Sequence, residues 1–302
     1  MMQPIIEVGQ LKKHFGNVDV INEVNFTIKA GETIGLIGEN GAGKTTLIKM
    51  LLGLEQPTSG TISVFGEKAG SRLARQKVGA MLQENTVLQS VNVTELLQLV
   101  TSFYAKPLPV SELLERAQLT HKRTAMTDTL SGGQQRRLSF AMALAGNPDV
   151  LFLDEPTVGM DVAARAVFWQ QIEALRKKGK TIFITSHYLT ELEAIAQRLI
   201  FLDGGHLVFD GNLSTLRTQY QGTKISLQTH VSVAALTEDK ANILSVNQQE
   251  NQVTLTVRDS DQWLLAHQGE LAEFHQIKIQ PMSLEAAFNE LIGQGDRHAN
   301  IN

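Results

Sequence analysis

Gly38-Glu39-Asn40-Gly41-Ala42-Gly43-Lys44-Thr45 stands between a short apolar run, Glu32 to Ile37, and a stretch from Thr45 to Leu54 that reads as a helix. The octapeptide fits G-x-x-x-x-G-K-[ST]. Glycines let a loop curl until its backbone N–H groups converge on phosphate oxygens. The helix that follows adds its positive end to the same point. Lys44 is then expected to reach the β- and γ-phosphates, and the Thr45 hydroxyl to ligate Mg²⁺. Four fixed positions arise by accident in a chain of this length at a rate on the order of one in a hundred. The strand before the loop and the helix after it are the context the mechanism requires.

Outward from the loop, Ile5 to Val8, Val20 to Ile28 and Gly60 to Phe65 read as strands. Val93 to Phe103 and Leu138 to Ala145 read as helices, the second stopped by Gly146-Asn147-Pro148. Val150 to Leu153 and Thr181 to Thr185 are expected to be buried strands, joined by a helix over Ala163 to Lys178. Strand, helix, strand in that order predicts an α/β fold with a mainly parallel sheet. At the end of the strand Val150 to Leu153 stand Asp154 and Glu155. Open α/β sheets place their sites at the carboxyl ends of strands. Asp154 is positioned to hold Mg²⁺, directly or through water, and Glu155 to polarise an attacking water. These features together predict a P-loop nucleotide hydrolase.

Leu130-Ser131-Gly132-Gly133-Gln134 narrows the class. It matches the LSGGQ signature of the ATP-binding-cassette (ABC) family, and the chain from residue 5 to about 215 resembles an ABC ATPase. Other positions fall into the family's order. Gln83 matches the Q-loop, Asp161 in Val158-Gly159-Met160-Asp161 the D-loop, and His187 the switch histidine; Phe15 sits where the family has an adenine-stacking aromatic. The resemblance implies ATP contacts from Phe15, from Gly38, Glu39, Asn40, Gly41, Ala42, Gly43, Lys44 and Thr45, and from Thr46. It implies Mg²⁺ held by Thr45, Gln83 and Asp154, and catalysis by Glu155 with His187 and Gln83. Residues 130–134 are then expected to meet ATP across a head-to-tail dimer, either of two identical chains or of this chain with a paralogue. Two residues depart from the commoner D-loop, since Met160 and Val162 replace leucine and proline.

The resemblance also implies a helical insert at about 85–145 that docks onto a separate transmembrane permease subunit. Val87, Leu88 and Val91 are the expected apolar contacts. After residue 220 the dense motifs stop, and residues 221–302 are expected to form a small α/β C-terminal domain. Strand patterns there run Ile225 to Gln228, Gln252 to Val257 and Ile277 to Ile279, followed by a helix capped by Ser283 with Leu284, Ala287, Phe288 and Leu291 on one stripe. This tail resembles that of daunorubicin-resistance-type (ABC-2) exporter ATPases and implies an exporter of drug, lipid or polysaccharide class.

Composition bounds these expectations. The chain has 302 residues, and its 27 Lys+Arg against 31 Asp+Glu give a net charge of −4. Residues 221–302 carry 5 basic against 10 acidic side chains, so no nucleic acid is expected as a partner. Cysteine is absent, which excludes disulfide scaffolds and thiolate chemistry. No apolar run nears the roughly 20 residues of a membrane helix, and the N-terminus lacks the regions of a secretory signal. A cytoplasmic protein, peripheral on the inner face of the cell membrane, is expected. The other class weighed is a soluble ABC ATPase without a transport role. A chromosome ATPase needs long coiled coils between phosphate loop and signature, but Lys44 and Ser131 are only 87 positions apart (131 minus 44). A ribosome-acting protein of this family normally carries two cassettes, and a purely regulatory module would lack Glu155 or His187.

Overall fold

The structure is a computed structural model that describes residues 4–83, 88, 90–186, 189–219 and 222–281. It divides into two units, one ending at Gly211 and the other beginning at Asn212.

The first unit opens with a hairpin, β1 (Pro4–Phe15) and β2 (Val18–Lys29). Ile21, Val24, Phe26 and Ile28 are buried on β2 while the residues between them face outward, as a half-buried strand requires. β3 (Thr33–Ile37) is buried at all five positions, the pattern of a strand covered on both faces. It runs through the glycine loop into α1 (Lys44–Leu51). β4 (Ser59–Val64) returns to pair with β1, and β5 (Glu67–Lys68) completes a sheet of order β2-β1-β4-β5. The strands read from residues 5, 20 and 60 thus form an antiparallel sheet of their own, beside the parallel one.

The Ser71 hydroxyl caps α2 (Arg72–Lys77), which leads into β6 (Val78–Met81). Three helices follow: α3 (Val93–Thr101), α4 (Val110–Arg116) and α5 (Gly132–Leu144). Asn92 and Glu95 close a capping box at the start of α3, and Ser131 and Gln134 do the same for α5. β7 (Val150–Leu153), α6 (Val162–Lys177), β8 (Thr181–Thr185), α7 (Leu189–Ile195), β9 (Arg198–Asp203) and β10 (His206–Gly211) complete the unit. The main sheet has the order β10-β9-β3-β8-β7-β6, and every neighbouring pair but β10-β9 is parallel. Phe152 and Phe183 lie fully buried between its layers, each stabilising the fold by about 1.5–3 kcal/mol. Trp169, on α6, meets Phe168 edge-on at 5.4 Å.

In the second unit, Asn212 caps α8 (Leu213–Gln219), its Oδ1 accepting from Thr215 N at 2.7 Å. β11 (Thr223–Gln228), α9 (Val233–Leu236), β12 (Ile243–Gln249), β13 (Gln252–Val257), α10 (Ser260–Ala266) and β14 (His275–Pro281) follow. The sheet is antiparallel, in the order β12-β13-β11-β14. Ile225, Leu227, Val253, Leu255 and Val257 turn one face toward Trp263, Leu236 and Phe274. Trp263 donates its indole N–H to Leu236 O at 3.0 Å and stacks on His267 at 4.3 Å. The division falls nine residues before the break read at Gln221 (221 minus 212), because β10 already closes the main sheet at Gly211. The helix expected from Ser283 lies outside the described residues. Among the described residues, no helix is long and apolar enough to cross a membrane.

Candidate active site

Parallel pairing brings four strand ends to one edge of the main sheet. Leu36 pairs with Thr185, Leu153 with Ile184, and Met81 with Leu153. The glycine loop, Gln83, Asp154 and Thr185 therefore emerge side by side.

The loop's shape needs glycine at two positions. Gly43 sits at φ +100°, and a Cβ there would lie 2.6 Å from Val20 O and 2.7 Å from Ile21 Cδ1. A Cβ on Gly38 would lie 2.4 Å from Leu202 O, so the loop rests directly on the backbone of β9. Gly43 is also the N-cap of α1 and brings no side-chain acceptor, which leaves the first N–H groups of that helix for an anion. Lys44 folds back over the loop, its Nζ donating to Gly38 O at 2.7 Å and Glu39 O at 2.9 Å. Burial draws the Lys44 ammonium below its ordinary pKa, opposed by the carboxylates of Glu155, Asp154 and Glu39.

Across the loop, the Thr45 hydroxyl donates to Asp154 Oδ2 at 3.0 Å. The other carboxylate oxygen of Asp154 accepts from the Thr185 hydroxyl at 2.7 Å, and that same hydroxyl accepts the Glu155 N–H at 2.8 Å. Glu155 is almost fully buried and sits at φ +49°, a left-handed backbone rarely adopted by residues with a Cβ. Its carbonyl accepts from Arg136 Nη2. Arg136 is itself buried, and burial lowers its pKa against the pull of Asp154 and Glu155.

A cavity of about 420 Å³ joins these parts; its walls include Phe15, Val20, Asn40, Lys44, Thr45, Thr46, Gln83, Asp154 and Glu155. Gly41 and Gly43 line it too, while Ala42 is buried beneath the loop. Phe15 leaves half its surface open, and Lys13 Nζ sits 4.5 Å from its ring centroid. The five signature residues do not line this cavity. Leu130 is buried, while Ser131 and Gly132 are exposed at the head of α5. Asp161 lies outside the cavity too and caps α6, Oδ1 accepting from Ala164 N at 2.8 Å. His187 lies outside the described residues. Beside its expected place, Glu191 accepts from Ser186 Oγ at 3.1 Å and from Thr157 Oγ1 at 3.2 Å. Thr185, Arg136 and Glu191 were not singled out by the sequence motifs.

A glycine-built anion cradle at the head of a helix, facing an Asp-Glu pair at the ends of parallel strands, defines a P-loop nucleoside triphosphatase. A family model described as ABC transporter matches residues 21–158. Nod factor export ATP-binding protein I of Burkholderia lata is 43% identical over 213 residues, covering 68% of this chain and 70% of that protein. The protein of the same name from Rhizobium sp. (strain N33) is 38% identical, over 74% of this chain and 76% of its own length. Among solved structures, an ATP-binding subunit of an ABC transporter aligns with TM-score 0.66 at 26% identity, over 72% of this chain and 93% of that one. A dimeric ATP-binding cassette bound to ADP and phosphate in a post-hydrolysis state aligns with TM-score 0.64 at 25% identity, over 69% and 98% of the two chains. The chain belongs to the ABC transporter family, as an ATP-hydrolysing subunit.

Proposed function

We propose that this chain energises export through a separate membrane subunit, with two ATPase chains closing head-to-tail on ATP. The observation that carries the reading is the single cavity shared by Lys44, Thr45, Gln83, Asp154 and Glu155. In it, adenine stacks on the open face of Phe15 and the triphosphate lies on the loop N–H groups. Lys44 exchanges its two carbonyl partners for β- and γ-phosphate oxygens. Thr45 Oγ1 and Asp154 Oδ2 are adjacent hard oxygen donors, and one or two such ligands beside phosphate oxygens are what Mg²⁺ prefers. Gln83 completes that set. Bound there, Mg²⁺ offsets charge on the transferring phosphoryl group.

Glu155 takes a proton from the water that attacks the γ-phosphorus, and ADP and phosphate leave. His187 hydrogen-bonds the γ-phosphate in this reading, while Ser131 and Gly133 meet the nucleotide held by the partner chain. Exposure of Ser131 at the head of α5 supports that contact in trans. The relatives named for Nod factor export support the exporter reading, with a cargo of drug, lipid or polysaccharide class and a place on the cytoplasmic face of the membrane.

Beside Gln83, one apolar hollow of about 260 Å³ adjoins another of about 330 Å³, Ala80 and Met142 lining both. The larger is walled by Leu52, Leu54, Ala74, Val78, Val100 and Tyr104. An amphipathic helix of the membrane subunit fits this cleft, on α1, α2 and α3 and not only at the expected Leu88 and Val91. Val87 lies outside the described residues.

The deciding experiment is Glu155→Gln. It keeps ATP binding, lowers turnover by about 10²–10⁴-fold, and accumulates an ATP-bound dimer on size-exclusion chromatography. Near-normal turnover would remove Glu155 from the role of base.

A further inference from the structure

We propose that Arg136 is the positioning residue that sets Gln83 and Glu155 in register with the signature helix, an inference that rests on the ATPase reading above. Arg136 lies within the first two turns of α5, the helix that Ser131 caps. Its Nη1 donates to Leu82 O and to Gln83 O, both at 2.9 Å. Its Nη2 donates to Asp154 O at 3.0 Å and to Glu155 O. One guanidinium thus grips four main-chain carbonyls in two segments that lie more than 70 residues apart in the chain.

The choice of partners is informative. An aliphatic side chain would fill the same space at lower desolvation cost. Arg136 directs these donors to backbone oxygens, so what it fixes is the path of the chain at residues 82–83 and 154–155. Those segments carry Gln83, placed above among the Mg²⁺ ligands, and Glu155, placed above as the base. Glu155 adopts its left-handed backbone between two tethers, the Thr185 hydroxyl on its N–H and Arg136 on its carbonyl. The planar fork matters because two nitrogens serve two segments at once; a lysine ammonium is one point with three donors and cannot span them. Movement of α5, as Ser131 closes on the partner's nucleotide, is transmitted through this fork to both loops.

The test uses the full chain with Arg136→Gln and Arg136→Lys. Affinity is read with a fluorescent ATP analogue, turnover by phosphate release, and local opening by hydrogen exchange over 78–83 and 150–157. The expected result is affinity within about threefold of the parent and kcat lower by about 10- to 100-fold. Exchange should rise in both segments, and the lysine variant should not rescue. In the double variant Gln83→Ala/Arg136→Gln, the losses in kcat should fall well short of multiplying. Unchanged kcat with unchanged exchange would overturn the proposal, as would affinity and kcat falling together in step with a lower Tm. Should Arg136→Gln fail to fold, Arg136→Lys keeps the charge and stem and carries the same comparison. A parent chain that hydrolyses no ATP would contradict the ATPase reading, while the exchange measurement still decides the role of Arg136.

Discussion

Thr185→Val removes a hydroxyl and almost nothing else. Thr185 is fully buried, so valine fills the same volume without opening a cavity. Two interactions disappear: the 2.7 Å donation to Asp154 Oδ1 and the 2.8 Å acceptance from Glu155 N. A hydrogen bond to a charged group contributes about 1.5–3 kcal/mol, and leaving a buried N–H unsatisfied costs about 1–3 kcal/mol. The sum is about 2.5–6 kcal/mol, and at about 2–4 °C per kcal/mol for a unit of this size Tm should fall by roughly 5–24 °C. Thr185→Ser keeps both hydrogen bonds and loses one methyl group, about 1 kcal/mol. The two variants should separate sharply when melting is followed by circular dichroism and turnover by phosphate release. Valine should lose turnover because Asp154 is no longer held from behind and the Glu155 backbone loses a tether. A valine variant as stable and active as the serine one would refute the account of the site given by these distances.

Two further outcomes follow from the geometry. Gly43→Ala places a methyl group against Val20 O at φ +100°, which costs about 1–3 kcal/mol in backbone strain before any steric clash is added; nucleotide titration should show binding lost, and normal affinity would mean the loop can move aside. Leu54→Glu, on a mostly exposed wall of the apolar cleft, should leave nucleotide affinity unchanged but weaken co-purification with the membrane subunit; an undiminished complex would place the docking surface elsewhere.

The strands and helices flanking the loop were legible because their patterns are local. β3, β7 and β8 read as unbroken apolar runs, and α1 and α6 as helices between them. β6 escaped notice because it is four residues long and contains Gly79. The reason for that glycine is tertiary: a Cβ there would lie 2.0 Å from Ala143 O, where α5 crosses the strand. Thr185 could be read only as the end of a buried strand, since its chemistry depends on β7 and β8 being neighbours. Arg136 has the look of an ordinary helix cation in sequence. Only the fold shows four carbonyls converging on it. Residues whose role is fixed by a phosphate carry a motif, whereas residues whose role is to hold those residues do not. β12 keeps its apolar residues, Ile243, Leu244 and Val246, in its first half and ends in Asn247-Gln248-Gln249, so no alternation runs its length to announce it.

The two tryptophans of this chain are divided one to each unit, Trp169 on α6 and Trp263 in the core of the antiparallel sheet. Their surroundings differ as much as their addresses. Trp263 is 1% exposed and lies against the His267 ring, whereas Trp169 is partly open to solvent. The molecule therefore carries a separate intrinsic fluorophore in each half, distinguishable by emission wavelength and by access to a soluble quencher. With phenylalanine at one of these positions, the emission of the whole chain reports on a single unit. Whether the C-terminal unit melts with the cassette, and whether nucleotide alters it, can be read by light without cutting the chain.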